Sequence, residues 1–274
     1  MNKLLSIITI ICLWTGMIPI VPEYDGNLVY VISEDSGFTK EEIAVKDKFE
    51  KYSELDELGR CGPAYALITE DMMPADGTTR GSLGMITPSG WHTVRYDDLI
   101  EDQYLYNRCH LIGFQLTGQT TNERNIITGT RFFNTHGMLP VENEISAYIK
   151  TSHQPVLYKV TPDFKGNNLV ASGVQIQACS VADDCKTISY NIYIYNIQPG
   201  IEIDYATGDS HKIEVTRSVI PVGFNLVLNT NTKKIHLPNC PSVDTIKEKN
   251  RKDVFGTIEE YEERGYTRCK QCLN

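Results

Sequence analysis

Apolar and polar positions alternate over much of the second half of the chain. Val156–Val160, Leu169–Ala178 and Ile188–Ile197 read as strands, with Ile201–Tyr205 as a short further one. The first half is less regular. Lys40–Leu58 is acid-rich and helix-prone, with Gly59 placed to stop it, and Cys61–Thr69 is apolar and strand-compatible. Pro74, Gly77, Gly81, Gly84, Pro88 and Gly90 then mark loops. Tyr104–Tyr106 reads as a short strand running into Asn107-Arg108-Cys109-His110. Thr128–Thr135 has helical potential, Gly137 interrupts it, and Pro140 is placed to open a further helix through Ile149. This order predicts a mixed α+β domain and not a regular βαβ alternation.

Residues 207–220, with Gly208, Asp209 and Ser210, read as a linker. Beyond it Phe224–Asn229 and Lys233–His236 predict a hairpin, and Thr245–Val254 and Ile258–Arg264 two short helices. The second helix is well marked, because Thr257 with Glu260 forms a capping box and Gly265 sits at its end. Such a tail is too small to bury a core without a staple.

The chain has 41% hydrophobic residues and 15 Tyr, which excludes disorder, and shows no repeat. Its only long apolar run is Leu4–Val21, so a polytopic membrane protein is excluded. With Lys3 before it and Glu23 as the first acid after it, residues 1–22 predict a signal peptide or an uncleaved N-terminal anchor. Either places the protein outside the cell or on the extracellular face of the membrane, with membrane contact only through this segment. Of eight cysteines, Cys12 belongs to the leader, and Cys240, Cys269 and Cys272 group with His236. The even remainder suits an oxidising compartment. Cys179 and Cys185 are placed to staple a hairpin. Cys109 pairs with Cys61 or is a small buried apolar group.

Net charge of −9 argues against nonspecific nucleic-acid binding, which draws its affinity from Lys and Arg. Residues 61–150 hold six basic against ten acidic side chains, a balance of −4, whereas residues 229–274 hold nine against seven, a balance of +2. Lys247, Lys249, Arg251 and Lys252 form the densest basic run, either a phosphate-contacting surface or a solvated face.

The chemistry-bearing stretch is Asn107-Arg108-Cys109-His110, followed by Asn125, Arg131, Asn134 and Glu142. Singly, each has an ordinary reading as turn former, cap or solvated charge. Together, their spacing resembles the DNA/RNA non-specific endonucleases of the ββα-metal, or His-Me finger, superfamily, and particularly the secreted streptococcal DNases. The resemblance spans roughly residues 59–210. It implies a ββα-metal core with a mixed or antiparallel sheet and Mg²⁺-dependent cleavage of DNA, with RNA as a second candidate substrate, leaving 5′-phosphate ends. It assigns His110 as general base and Asn134 as the Mg²⁺ ligand. Glu142 would orient metal-bound water, Asn125 would position the metal shell or the His110 loop, and Arg131 or Arg108 would steady phosphate charge. Two alternatives stand beside it. One is a catalytically silent DNA-binding or uptake protein of the same fold, against which intact His110, Asn125, Asn134 and Glu142 argue. The other is a cysteine hydrolase pairing Cys109 with a distant His92 or His136, because adjacent Cys109 and His110 point to opposite faces of an extended segment.

His236-x₃-Cys240 and Cys269-x₂-Cys272 have zinc-site spacing and resemble the small zinc-binding module of the Ada-type DNA-repair methyltransferase, with His236 replacing its first Cys. The alternative is a disulfide from Cys240 to Cys269 or Cys272. The expected organisation is thus a leader over 1–22, an endonuclease domain over 23–218 and a structural-Zn²⁺ module over 219–274.

Overall fold

The computed structural model describes residues 19–100, 102–213, 224–237 and 240–273. Most of the expected leader and the expected 218/219 boundary lie outside the described residues. Among the described residues no helix is long and apolar enough to cross a membrane. The chain divides into two compact units, one holding Val29–Ile213 and the other joining Glu23–Leu28 to the described residues beyond 223.

In the first unit the strands are β1 (Val29–Val31), β2 (Phe49–Tyr52), β3 (Ala64–Ile68), β4 (Tyr106–His110), β5 (Ile126–Thr130), β6 (Val156–Pro162), β7 (Gly173–Ser180), β8 (Ser189–Tyr195), β9 (Ile201–Ile203) and β10 (Ser210–Lys212). Six of them form an antiparallel sheet in the order β1-β8-β7-β6-β3-β2. Register places Leu67, Leu157 and Cys179 side by side on one face, with Ala66, Tyr158 and Ala178 on the other. The first set packs against Phe38, Ile43, Val45 and Phe49. All six of these sheet residues are buried, whereas Lys159 and Gln177 beyond them are only partly so, and both faces of the sheet are covered.

Several elements differ from the sequence expectation. The predicted Lys40–Leu58 helix lasts one turn, α1 (Lys40–Ile43), capped reciprocally by Thr39 and Glu42. Beyond it Phe49–Tyr52 pairs with β3, because Phe49 opposite Leu67 gains burial that an exposed helix would forgo. The strand before the motif is Tyr106–His110, so His110 ends a strand and does not follow one. Thr128–Thr135 is not helical at its start: β-branched Ile126, Ile127, Thr128 and Thr130 pair with β4. Gly137 does not interrupt the helix that follows. Helical backbone runs from Arg131, widens into a π segment over Phe133–Met138, and continues as an α-helix over Leu139–Ser152. The short helix at Phe114–Thr117 and this longer one are α2 and α3. The region read as a linker from 207 begins as structure, since β10 pairs with β9.

Cys179 and Cys185 are disulfide-bonded, as expected of that hairpin. Cys61 and Cys109 are not bonded to each other; both are free and buried. Cys61 instead donates to the Ile126 carbonyl at 3.2 Å, and Cys109 packs under Gly129, where a Cβ would lie 2.6 Å from its Sγ and 2.7 Å from the Phe133 ring.

The second unit is a four-stranded sheet, in the order β13-β11-β12-β14, of β11 (Phe224–Asn229), β12 (Lys234–His236), β13 (Arg251–Gly256) and β14 (Thr267–Arg268), with α4 (Ile258–Glu263). The β11–β12 hairpin and α4 match expectation: Thr257 caps Glu260 N–H at 3.0 Å, and Gly265 has a left-handed φ of 84°. The predicted helix at Thr245–Val254 is instead a 3₁₀ turn, Glu248–Asn250, and strand β13. Pairing of β13 with β11 along its whole length outweighs the helix propensity of Lys247, Glu248, Lys249 and Lys252. Leu226, Leu228, Ile235, Ile258 and Tyr261 form one small core, and Val227, Cys240, Val243 and Cys269 another.

Candidate active site

β4 and β5 form a two-stranded antiparallel ribbon that leads directly into the helix beginning at Arg131, a ββα arrangement. Alternation along β4 sends Asn107 and Cys109 to one face and Arg108 and His110 to the other. The Cys109 face is closed by Gly129 and Phe133. Arg108 and His110 contact Ile86 and Thr120, two residues of a groove that is lined further by Gln119, Thr121, Asn122, Glu123 and Arg124. Arg108 donates to the Ile86 carbonyl and stacks over Trp91, its guanidinium 4.0 Å from the ring centroid.

His110 is buried, and its Nε2 lies 3.1 Å from the Thr120 carbonyl. A carbonyl only accepts, so in neutral His110 this nitrogen carries the proton and Nδ1 keeps the lone pair. Burial, with the positive charge of nearby Arg80, lowers the His110 pKa to about 4 despite carbonyl contacts that favour the cation.

The three residues after His110 are held from two sides. Asn125, fully buried, accepts from Ile112 N–H at 2.8 Å and donates to Ile112 C=O at 2.9 Å, while its own carbonyl accepts from Leu111 N–H at 2.8 Å. Both ends of the Asn125 amide are therefore engaged on backbone. Glu142, buried on α3, takes the Gly113 N–H and the Gln115 amide. It sits so close that a Cβ at Gly113 would lie 2.3 Å from its Oε2. Burial raises the Glu142 pKa to about 8.

Asn134 lies in the π segment, where its carbonyl accepts from Leu139 N–H, five residues on. It is half-buried, and among the described residues its side-chain amide has no protein partner. Single π turns within α-helices recur at functional positions because they redirect one side chain. Arg131 pairs with Asp102, and its N–H donates to the Leu105 carbonyl at 2.7 Å. The structure thus gathers His110, Asn125 and Glu142 around residues 111–113, places Asn134 on the helix that carries Glu142, and gives Arg108 and Arg131 partners of their own. Sequence reasoning missed Arg80. It is exposed in a Gly/Thr-rich loop, where only its charge signalled it, and among the described residues it has no acidic partner.

The thiol-nucleophile alternative fails here. Burial, reinforced by Glu142, holds the Cys109 pKa well above the usual thiol range, and its thiol is directed at the Asn107 carbonyl. His92 contacts the Thr207 carbonyl and His136 stacks on Phe132.

Residues 39–182, more than half of the chain, match the DNA/RNA non-specific endonuclease family. The chain belongs to that family. The endonuclease also has the fold of NucA from Streptococcus agalactiae with a magnesium ion bound, at TM-score 0.61 and 21% identity over 78% of this chain and 98% of the other. It is similar to Sda1 nuclease with a bound zinc ion, at TM-score 0.57 and 24% identity over 69% of this chain and 98% of the other.

In the second unit of the endonuclease, ligand atoms of His236, Cys240, Cys269 and Cys272 all lie within 4.8 Å of one another. The Cys240 and Cys269 sulfurs are 4.0 Å apart, far from a bond, and none of the three thiols is in a disulfide. Tetrahedral zinc with Zn–S of about 2.3 Å spaces its sulfurs by about 3.8 Å. Buried His236 Nδ1 has no hydrogen-bond partner, and Leu237 N–H points to the Cys272 sulfur at 3.4 Å. The donor set fits zinc.

Glu142 yields a stability prediction. Its folded-state pKa of about 8 exceeds the unfolded value of 4.5, so the native state is penalised progressively as pH rises from 4.5 through 8. Glu142→Gln should therefore stabilise the fold at pH 8 in chelator, on the order of 3 kcal/mol, with the gain vanishing near pH 4.5. His110 is common to both proteins and cancels in the difference. Urea unfolding at the two pH values checks this; equal stabilities at pH 8 would refute the buried-carboxylate account.

Proposed function

We propose that this endonuclease hydrolyses phosphodiester bonds of DNA, and of RNA, in a magnesium-dependent reaction with His110 as general base. The observation that carries the reading is the grip on residues 111–113 by Asn125 and Glu142, directly behind a His110 whose tautomer the Thr120 carbonyl fixes. His110 is neutral at pH 7 and offers Nδ1 to an attacking water. Its low pKa belongs to the protein without substrate. A polyanion in the groove opposes Arg80 and raises it toward the ordinary 6.5 of histidine, where a base is most effective.

Asn134 would hold Mg²⁺ through its amide oxygen; an unpartnered, half-exposed amide suits an ion that keeps most of its waters. When bound, the ion supplies positive charge for the crowded phosphate and for the departing 3′-oxygen. Glu142 keeps α3 against the His110 segment and can orient water at that ion. Asn125 positions the His110 loop, its amide being spent on Ile112. Arg108, Arg131 and Arg80 steady phosphate charge.

His236, Cys240, Cys269 and Cys272 would hold a structural Zn²⁺ that cross-links two strands of a unit with very small cores. A leader over 1–22, an endonuclease domain over 23–218 and a zinc module over 219–274 follow as the domain assignment. The Cys179–Cys185 disulfide supports export.

His110→Ala should lower kcat on plasmid DNA at least a thousandfold with the unfolding midpoint retained; activity within tenfold of the parent would remove His110 from the chemistry. For Asn134→Ala, magnesium titration of turnover should show the apparent metal affinity falling at least tenfold along with the rate. Unchanged affinity would place the ion elsewhere. Elemental analysis of non-reduced protein should find about one zinc per chain, with Cys240, Cys269 and Cys272 all alkylated after denaturation in chelator. A Cys240–Cys269 or Cys240–Cys272 disulfide without zinc would exclude the metal.

A further inference from the structure

The basic residues of the second unit collect at one end of its sheet. Where β11 turns into β12, Asn229 Oδ1 accepts from the N–H groups of Asn231 and Thr232 at 3.1 Å, fixing the turn that presents Lys233 and Lys234. Thr230 N–H, at 2.8 Å, and Thr230 Oγ1 both donate to the Asn250 carbonyl, which draws the 3₁₀ turn, with Lys249 inside it and Lys247 just before it, to the same end. Register sets Asn229 between Lys234 and Arg251, and Leu228 between Ile235 and Lys252. Six cations thus share one sheet end with the acids Glu248, Asp253 and Asp244.

Little of this positive charge is neutralised within the unit. Arg251 is taken by Asp253, but among the described residues none of the five lysines has an acidic partner. Two acids of α4 are answered by arginines, in Arg264–Glu260 and Arg268–Glu262. In the first unit Lys48, Lys150, Lys165 and Lys212 pair with aspartates, while among the described residues Lys40, Lys46, Lys51, Lys159 and Lys186 form no ion pair, so what the second-unit lysines add is their shared place at one sheet end. Lys233 is further steadied over the Tyr266 ring, 4.7 Å from its centroid.

We propose that this sheet end is a second nucleic-acid contact, binding the phosphate backbone without reading bases and supplying affinity that the acidic nuclease core lacks. The inference rests on the nuclease reading only for the identity of the polyanion. Unpaired lysines on a hydrogen-bonded turn and strand are a fixed array of point charges matched to a polymer with about one negative charge per 1.7 Å of duplex axis. Anionic membrane is the poorer occupant. Firm docking on lipid adds buried apolar area to the charge attraction, and among the described residues none of the exposed large hydrophobics lies in the β11–β14 unit.

The test uses the full chain carrying His110→Ala and a nuclease-resistant phosphorothioate duplex, with binding followed by fluorescence anisotropy across a salt series. Adding Lys233→Gln, Lys247→Gln, Lys249→Gln and Lys252→Gln should weaken binding at least tenfold at low salt. The slope of log affinity against log salt should fall by about 3.6, near 0.9 for each of four phosphates deprived of its lysine. With His110 intact, the same four changes should raise KM at least fivefold and leave kcat within twofold. An equal charge change in the first unit, Lys40→Gln, Lys46→Gln, Lys51→Gln and Lys186→Gln, should do neither; unchanged zinc content and circular dichroism certify folding. An unchanged slope and KM would overturn the proposal. So would an equal loss in the first-unit variant, or a loss of binding to phosphatidylglycerol vesicles with duplex binding intact. Cleavage surviving in His110→Ala would instead overturn the catalytic assignment, since the resistant duplex still reports binding.

Discussion

The placement of the ββα element depends on one buried amide. Asn196, just past β8 and fully buried, accepts from Thr130 N–H at 2.9 Å and donates to the carbonyls of Thr128 at 3.1 Å and Ala171 at 2.9 Å. A two-stranded ribbon is marginal alone, because it has two open edges and no face of its own. Here Asn196 fills the outer edge of β5, and Gln198 accepts from Phe132 N–H at 3.0 Å where the ribbon becomes helix. Removing the Asn196 amide would strand several buried backbone groups at about 1–3 kcal/mol each. It would also free the ribbon that ends in His110. The large sheet therefore does no chemistry but sets the coordinates of the residues proposed to do it.

Two buried ionisable groups stand at this junction, and their environments press them in opposite directions. Burial makes both His110 and Glu142 favour the neutral form, which lowers the pKa of the imidazole and raises that of the carboxyl. A packed core would be more stable with neither. Buried groups shifted this far are commoner at functional sites than in packed cores, and a cation near Glu142 and a polyanion near His110 would each favour the charge that the free protein suppresses. Near pH 7 both groups are therefore neutral in the free protein, and under the proposed mechanism metal and substrate would favour their charged forms.

Much of this was legible in the sequence. The alternation in β6, β7 and β8 marked strands with a residue or more of error at their ends, and the Cys179–Cys185 hairpin followed from spacing. The motif residues fall on one strand of a ribbon, the 3₁₀ turn that ends at Asn125 and one helix. Failures came where tertiary pairing overrode local propensity: Phe49–Tyr52 and Arg251–Gly256 carry helix-tolerant charged residues yet lie in strands because Leu67 and the β11 edge lie opposite them. The π segment could not be read, since nothing in Phe133–Met138 distinguishes a five-residue from a four-residue turn. Arg80 was invisible for a related reason. Its relevance is spatial, set by a loop whose path no periodicity records.

The cysteines divide according to geometry. In the hairpin of the first unit the Cys179 and Cys185 Cα atoms lie 4.6 Å apart, within disulfide reach, and the bond closes a short loop. In the second unit the four donors are spread around a common centre, and oxidation could satisfy only two of the three thiols, leaving the third and buried His236 Nδ1 unmatched. A tetrahedral ion satisfies all four at once. For a sheet whose two cores hold only a handful of side chains each, that difference matters more than the strength of one bond. A disulfide ties two points, whereas the ion would fix the His236 end of β12, the residue that follows β14 and the Cys240 turn together, at the opposite end of β12 from Lys233 and Lys234.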